Sequence, residues 1–133
     1  MTTKMRSELS KKSKYYVEKH RYLELKHFCL QYPTWKREYL ELDGYQKRTD
    51  ESIERTDPTA KTAELRLLYF EKMKVVEQTA LETDPDLYSY ILKGVTEELS
   101  YITLKTKHDI PCSKDTYYDR YRRFFWILDR ARN

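Results

Sequence analysis

Residues 99–128 read LSYITLKTKHDIPCSKDTYYDRYRRFFWIL. Their punctuation predicts a helix, a tight turn and a second helix. Ser100 is placed to cap the first helix by accepting from backbone N–H groups of its opening turn. Ile102 and Leu104 to Thr106 are expected to face inward, with the helix ending near His108. Asp109 stands at the turn, where its short side chain tolerates the left-handed conformation. Pro111 blocks further helix. Ser113 then caps the second helix, and Asp115 suits the positive end of its dipole.

A step of 100° per residue from Ser113 splits that second helix into two sides. Tyr117, Tyr118, Tyr121, Phe124, Phe125 and Leu128 fall on one. Asp115, Thr116, Asp119, Arg120, Arg122 and Arg123 fall on the other or at its edges. This is the layout of a helix-turn-helix whose second helix enters the major groove of DNA. Arginine there takes a guanine edge or a phosphate, Thr116 approaches a thymine methyl, and Asp119 accepts from a cytosine amino group or orients Arg123. The expected division is phosphate positioning by Lys105, Lys107, Lys114 and Arg122. Base reading falls to Asp115, Thr116, Asp119, Arg120 and Arg123, behind the Ser113 cap.

The remaining chain supports an all-α reading. With only two Gly among 133 residues, a glycine-rich phosphate loop is excluded and a hairpin-rich β fold is disfavoured. Thirteen Tyr imply a core built largely of amphipathic rings. Residues 1–13 are expected to be a flexible N-terminus. Residues 14–44 form an N-terminal helical segment: a helix over 14–31 with Tyr15, Tyr22, Leu25 and Cys29 on one stripe, an interruption at Pro33, and a short helix ended by Gly44. Residues 45–56, YQKRTDESIERT, read as a polar loop. Residues 57–133 hold a long helix, opened by Asp57-Pro58 and running to about Glu82, and then the C-terminal DNA-binding region. Asp84-Pro85 repeats the start signal for a helix ending at Gly94. A long central helix of this kind serves as a bundle spine or a dimer interface.

Charge is uneven along the chain. Residues 1–40 hold ten Lys/Arg against four Asp/Glu, residues 41–99 eight against fourteen, and residues 100–133 eight against four. Two basic ends flank an acidic middle, so a polyanion would meet the ends. Cys29 and Cys112 lie far apart with no spacing partner, which suits free thiols in a reducing cytoplasm. No apolar run approaches the roughly 20 residues that span a bilayer, so no membrane partner is expected. His20, His27 and Cys29 are spaced by seven and two, which does not converge on a metal. No Ser/His/Asp or Cys/His set has local support. The expectation is therefore a non-enzyme with no metal and no cofactor. The run Phe124 to Leu128 supplies core, while Trp126 and Ile127 point partly elsewhere, toward a second copy or RNA polymerase.

Three segments in order carry a resemblance: QYPTW at 31–35, DPTAKTAELR at 57–66 with KVVEQTA at 74–80, and DIPCSKDTYYDRYRRFFWIL at 109–128. From about residue 23 onward the chain resembles the phage and prophage late-gene transcriptional activators of Gram-positive bacteria, the RinA/ArpU-type regulators. Its C-terminal block resembles the sigma-factor region that reads the −35 promoter element. It departs from that pattern in placing Tyr117, Tyr118 and Tyr121 where a small aliphatic core usually stands. The resemblance implies sequence-specific binding of double-stranded promoter or operator DNA by Ser113 to Arg123, with RNA polymerase as a further partner and a homodimer if the site is two-fold. The rival readings are a protein-interaction module contacting the polymerase, a small terminase-like DNA-packaging subunit, and a virion structural protein.

Overall fold

The computed structural model describes residues 11–52 and 57–133, with side chains at 11–42 and 60–133. The fold is all-α, and the described residues contain no strand. The helices are α1 (Lys19–Leu30), α2 (Tyr32–Ser52), α3 (Asp57–Thr83), α4 (Tyr88–Glu97), α5 (Tyr101–His108) and α6 (Lys114–Ala131). A 3-10 turn, Pro85–Leu87, leads into α4.

The first helix starts later than its apolar stripe suggests. Glu18 caps α1, its carboxylate accepting from the N–H groups of His20 and Arg21 at 3.0 and 3.2 Å. Those two bonds hold the Glu18 carboxyl below its usual pKa, against a small desolvation cost. Val17, buried just before the cap, anchors the approach. Residues 14–17 are therefore turn and extended chain. The expected flexible N-terminus, 1–13, lies outside the described residues as far as residue 10.

Pro33 begins a helix rather than interrupting one. It is the second residue of α2, where its missing N–H lacks an intrahelical partner anyway. Neither glycine ends a helix. Helix α2 continues through Gly44 to Ser52, so residues 45–52 of the expected polar loop are helical. Residues 53–56 of that loop lie outside the described residues. Gly94 sits inside α4, which ends three residues on, with Glu98 in the left-handed region (φ 57°, ψ 44°).

Helices α2 and α3 form a hairpin, and at 27 residues α3 is about 40 Å long. Trp35 packs against Phe28 at 4.8 Å between ring centroids. Tyr39 receives the Arg66 guanidinium over its face at 4.6 Å. Tyr32 donates a hydrogen bond to the Glu77 carboxylate. The buried apolar stripe of α3 is Met73, Val76 and Ala80, while Leu65, Leu67, Leu68 and Phe70 stay exposed.

The core forms where α6 meets α1, α3 and α4. Tyr117, Tyr121, Phe124, Phe125 and Leu128 are buried, which is the apolar side predicted from the helical wheel, while Tyr118, expected with them, is partly buried at its margin. Their rings meet edge to face: Tyr22 on Phe125 at 5.1 Å, Tyr121 on Phe125 at 5.0 Å, and Phe124 on Phe125 at 4.9 Å. Such tilted pairs add to the area term by aligning ring edges with ring faces. The Tyr22 and Tyr121 hydroxyls hydrogen-bond each other at 2.8 Å, so two polar tips are satisfied inside the core. Buried Thr79, Thr83 and Thr96 donate to the carbonyls four residues back at 2.7 Å, which satisfies their hydroxyls too. No helix among the described residues is long and apolar enough to cross a membrane.

Candidate nucleic-acid interface

Two serine caps and one left-handed residue shape the region after α4. Ser100 Oγ accepts from the Thr103 N–H at 3.2 Å, and Ser113 Oγ accepts from the Thr116 N–H at 3.2 Å. Asp109 has φ 56° and ψ 45°, and its N–H returns to the Leu104 carbonyl. The Ile110 N–H reaches the same carbonyl at 3.2 Å. These two bonds satisfy an otherwise orphaned acceptor at the end of α5.

Of the residues of α5 expected to face inward, Leu104 does and Ile102 does not. Ile102 is 68% exposed, whereas Leu104 and Ile110 are both fully buried. Lys105 and Thr106 are exposed as well. Helical geometry explains this, because Ile102 lies about 200° around the helix from Leu104. Ile110 then fills from the turn the space that Ile102 cannot reach. Two tyrosines lock the turn to both helices. Tyr101 donates to the Cys112 carbonyl at 2.6 Å, and the Tyr118 hydroxyl accepts from the Tyr101 N–H at 3.1 Å. Neither role follows from spacing along the chain, since each depends on the angle at which α5 crosses α6.

The candidate DNA-contacting residues divide into two groups. Lys107, Lys114 and Asp115 are exposed. Lys105 is also exposed, with Nζ 3.4 Å from the Ile110 carbonyl. Ser113 is spent on its cap, and Thr116 keeps its hydroxyl 3.1 Å from that of Ser113. Arg122 is half-buried.

The expected base readers Arg120 and Arg123 face the protein. Arg120 Nε donates to Asp84 Oδ2 at 2.8 Å, and its Nη1 donates to Asp119. Arg123 Nε donates to the Thr83 carbonyl at 3.2 Å, and its Nη1 lies 3.5 Å from the Tyr15 hydroxyl. Asp119 thus orients Arg120, not Arg123 four residues on. The cause is position on the wheel. Residues 120 and 123 lie on the edge of α6 beside the C-terminus of α3, whose last carbonyls need donors. Asp84, held on that edge as the cap of the 3-10 turn through Asp86 N–H at 3.0 Å, draws the guanidinium of Arg120 inward.

Asp84 carries a pH dependence. Its burial raises the pKa, but the Arg120 hydrogen bond and the Asp86 N–H outweigh that, leaving it below the ordinary carboxylate value. A group with a depressed folded pKa contributes stability above its unfolded pKa and loses it as pH falls through the folded value. Asp84→Asn keeps the capping oxygen and removes the charge. It should cost about 1 kcal/mol near pH 7, because Arg120 is a third open to solvent. That difference should shrink toward zero below about pH 4. Denaturant melts of both proteins from pH 7 to pH 3 check this, and a gap that is constant with pH would sink it.

No protein-family model matches the chain, and neither a curated protein nor a solved structure shows significant similarity to it.

Proposed function

We propose that this protein binds double-stranded DNA through α5, the turn and α6, as a transcription regulator of the phage late-gene type. The observation that carries the reading is the capped turn. It presents the N-terminus of α6 with Lys107, Lys114 and Asp115 exposed around it. A helix N-terminus concentrates partial positive charge and unpaired N–H groups, and it favours phosphate oxygens. Phosphate contacts then fall to Lys105, Lys107, Lys114 and Arg122. Base contacts fall to the first turns of α6, at Asp115 and Thr116. Arg120 and Arg123 hold α6 against the end of α3 and so set the angle of the reading helix.

The test is retention of random duplex DNA at moderate salt, followed by sequencing. An enriched motif supports a specific regulator. Lys107→Ala with Lys114→Ala should weaken all sequences alike and lower the salt slope by about 2. Retention without a motif favours a packaging role, and no retention at all defeats the proposal.

A protein-interaction reading is favoured by one separate observation, the exposed Leu65, Leu67, Leu68 and Phe70 on α3. They fall on two sides of the helix, Leu65 with Leu68 and Leu67 with Phe70, and apolar patches of this kind suit a second copy or RNA polymerase. Solution mass separates a monomer from a dimer, and either from the ring of a terminase-like subunit.

A further inference from the structure

The two basic ends of the sequence meet on one side of the fold. Arg21 Nε pairs with Asp129 at 2.6 Å near the C-terminus of α6. Six residues earlier, the Tyr15 ring packs on Trp126 with centroids 5.6 Å apart, and its hydroxyl lies 3.5 Å from Arg123 Nη1. The chain from Tyr15 to Arg21 therefore runs parallel to α6, and followed backward it heads toward the reading end. Lys11, Lys12, Lys14 and Lys19 are exposed along this segment. Glu18 is the only acidic residue between 11 and 19, and its carboxylate is occupied in capping α1.

We infer that residues 11–14 are a second phosphate-contacting element, pinned to α6 by Tyr15 and Trp126, which grips the DNA backbone beside the reading helix. The inference rests on the DNA-binding reading above. Scale supports it: Arg123, beside Tyr15, lies nine residues after Lys114, about 13.5 Å along the helix axis. The major groove is about 12 Å wide. Lys114 at one end of that interval, and the lysines joined to Tyr15 at the other, match the spacing of the two backbones that border one groove. Tyr15 acts as a positioning residue, since its ring sets where the lysines lie.

The experiment compares the full-length protein with Lys11→Ala/Lys12→Ala/Lys14→Ala in duplex binding across salt concentrations. The substituted side chains are exposed, and Lys14 lies over the Tyr15 ring at 5.1 Å, so the thermal midpoint should fall by no more than about 4 °C. Each lost phosphate contact removes about 0.9 from the slope of log K against log salt, about 2.7 for three. The motif enriched from random DNA should not change. A control with Lys36, Arg37 and Lys61 replaced by Ala, exposed cations on α2 and α3, should keep the parental slope.

Parental DNA binding with an unchanged slope in the Lys11/Lys12/Lys14 variant overturns the inference and leaves the α5–α6 reading standing. An equal drop in the control overturns it too, as it would make the effect one of net charge alone. Unchanged DNA binding together with lost affinity for vesicles of anionic phospholipid would reassign the segment to a membrane surface. Absence of duplex binding by the parent removes both readings at once.

Discussion

Gly94→Ala should destabilise this protein by about 1–3 kcal/mol, lowering its melting temperature by about 4 °C for each kcal/mol at this chain length. The sign is what makes the experiment informative. Alanine is ordinarily better than glycine inside a helix by about 1 kcal/mol, and Gly94 lies within α4 with no positive φ. The opposite sign is expected because of Tyr117. A Cβ at position 94 would stand 2.1 Å from the Tyr117 hydroxyl oxygen and 3.2 Å from its ring carbon Cζ. Tyr117 is fully buried, and its rigid ring has no free end to swing away. Helix α4 or α6 must give instead. In Gly94→Ala/Tyr117→Phe the oxygen is gone and the tight ring contact stays, so the double variant should recover part of the loss. A melting temperature in Gly94→Ala equal to or above that of the parent would show that α6 does not press on α4 here.

Ile110→Ala should cost about 2–5 kcal/mol, the range for emptying a buried aliphatic site. Ile102→Ala should stay within about 0.5 kcal/mol, as for other surface changes. Both residues are isoleucines eight positions apart, so the contrast isolates burial from chemistry. Ile110 is fully enclosed and Ile102 is 68% exposed. The Ile110 backbone also takes part in the turn, through its N–H to Leu104 and its carbonyl to Lys105. Loosening its side chain should therefore raise amide exchange at 109–113 before the rest of the protein opens. Equal costs for the two substitutions in a urea titration would mean that the turn is seated differently.

The strongest local signals in the sequence carried over into structure. Ser100 and Ser113 cap their helices, Asp109 takes the left-handed conformation, and the apolar side of α6 is the buried side. Each of these depends on residues within one or two turns of one another. Both glycines misled as helix ends, and Gly94 did so because the same residue serves two purposes. A glycine beyond a helix end relieves backbone strain, while one inside a helix lets a neighbour come close. Only the position of Tyr117, more than twenty residues away, tells which applies at 94. The first residue of α1 was missed for a similar reason: the apolar stripe from Tyr15 looks helical, but the Glu18 carboxylate fixes the start.

Arg120 and Arg123 were legible as polar-face residues and illegible as anchors. Their partners, Asp84 and the Thr83 carbonyl, lie about forty residues upstream, where Asp84 reads only as a cap. The convergence of the two basic ends was equally hidden, because charge counts along a chain carry no information about which face each block occupies.

The two tryptophans occupy separate neighbourhoods. Trp35 is buried between Phe28 and the α2–α3 hairpin, with Lys72 over its ring at 5.6 Å. Trp126 is half-buried on α6, between the Tyr15 ring and the Arg130 guanidinium at 3.9 Å. The chain has no other indole, so its emission, excited to the red of tyrosine absorption, is the sum of two reporters. With Trp35 replaced by Phe, the remaining emission watches the meeting point of the N-terminal segment and α6. With Trp126 replaced, it watches the hairpin. Unfolding followed at each would show whether the two regions come apart together or in turn, with no dye attached to either.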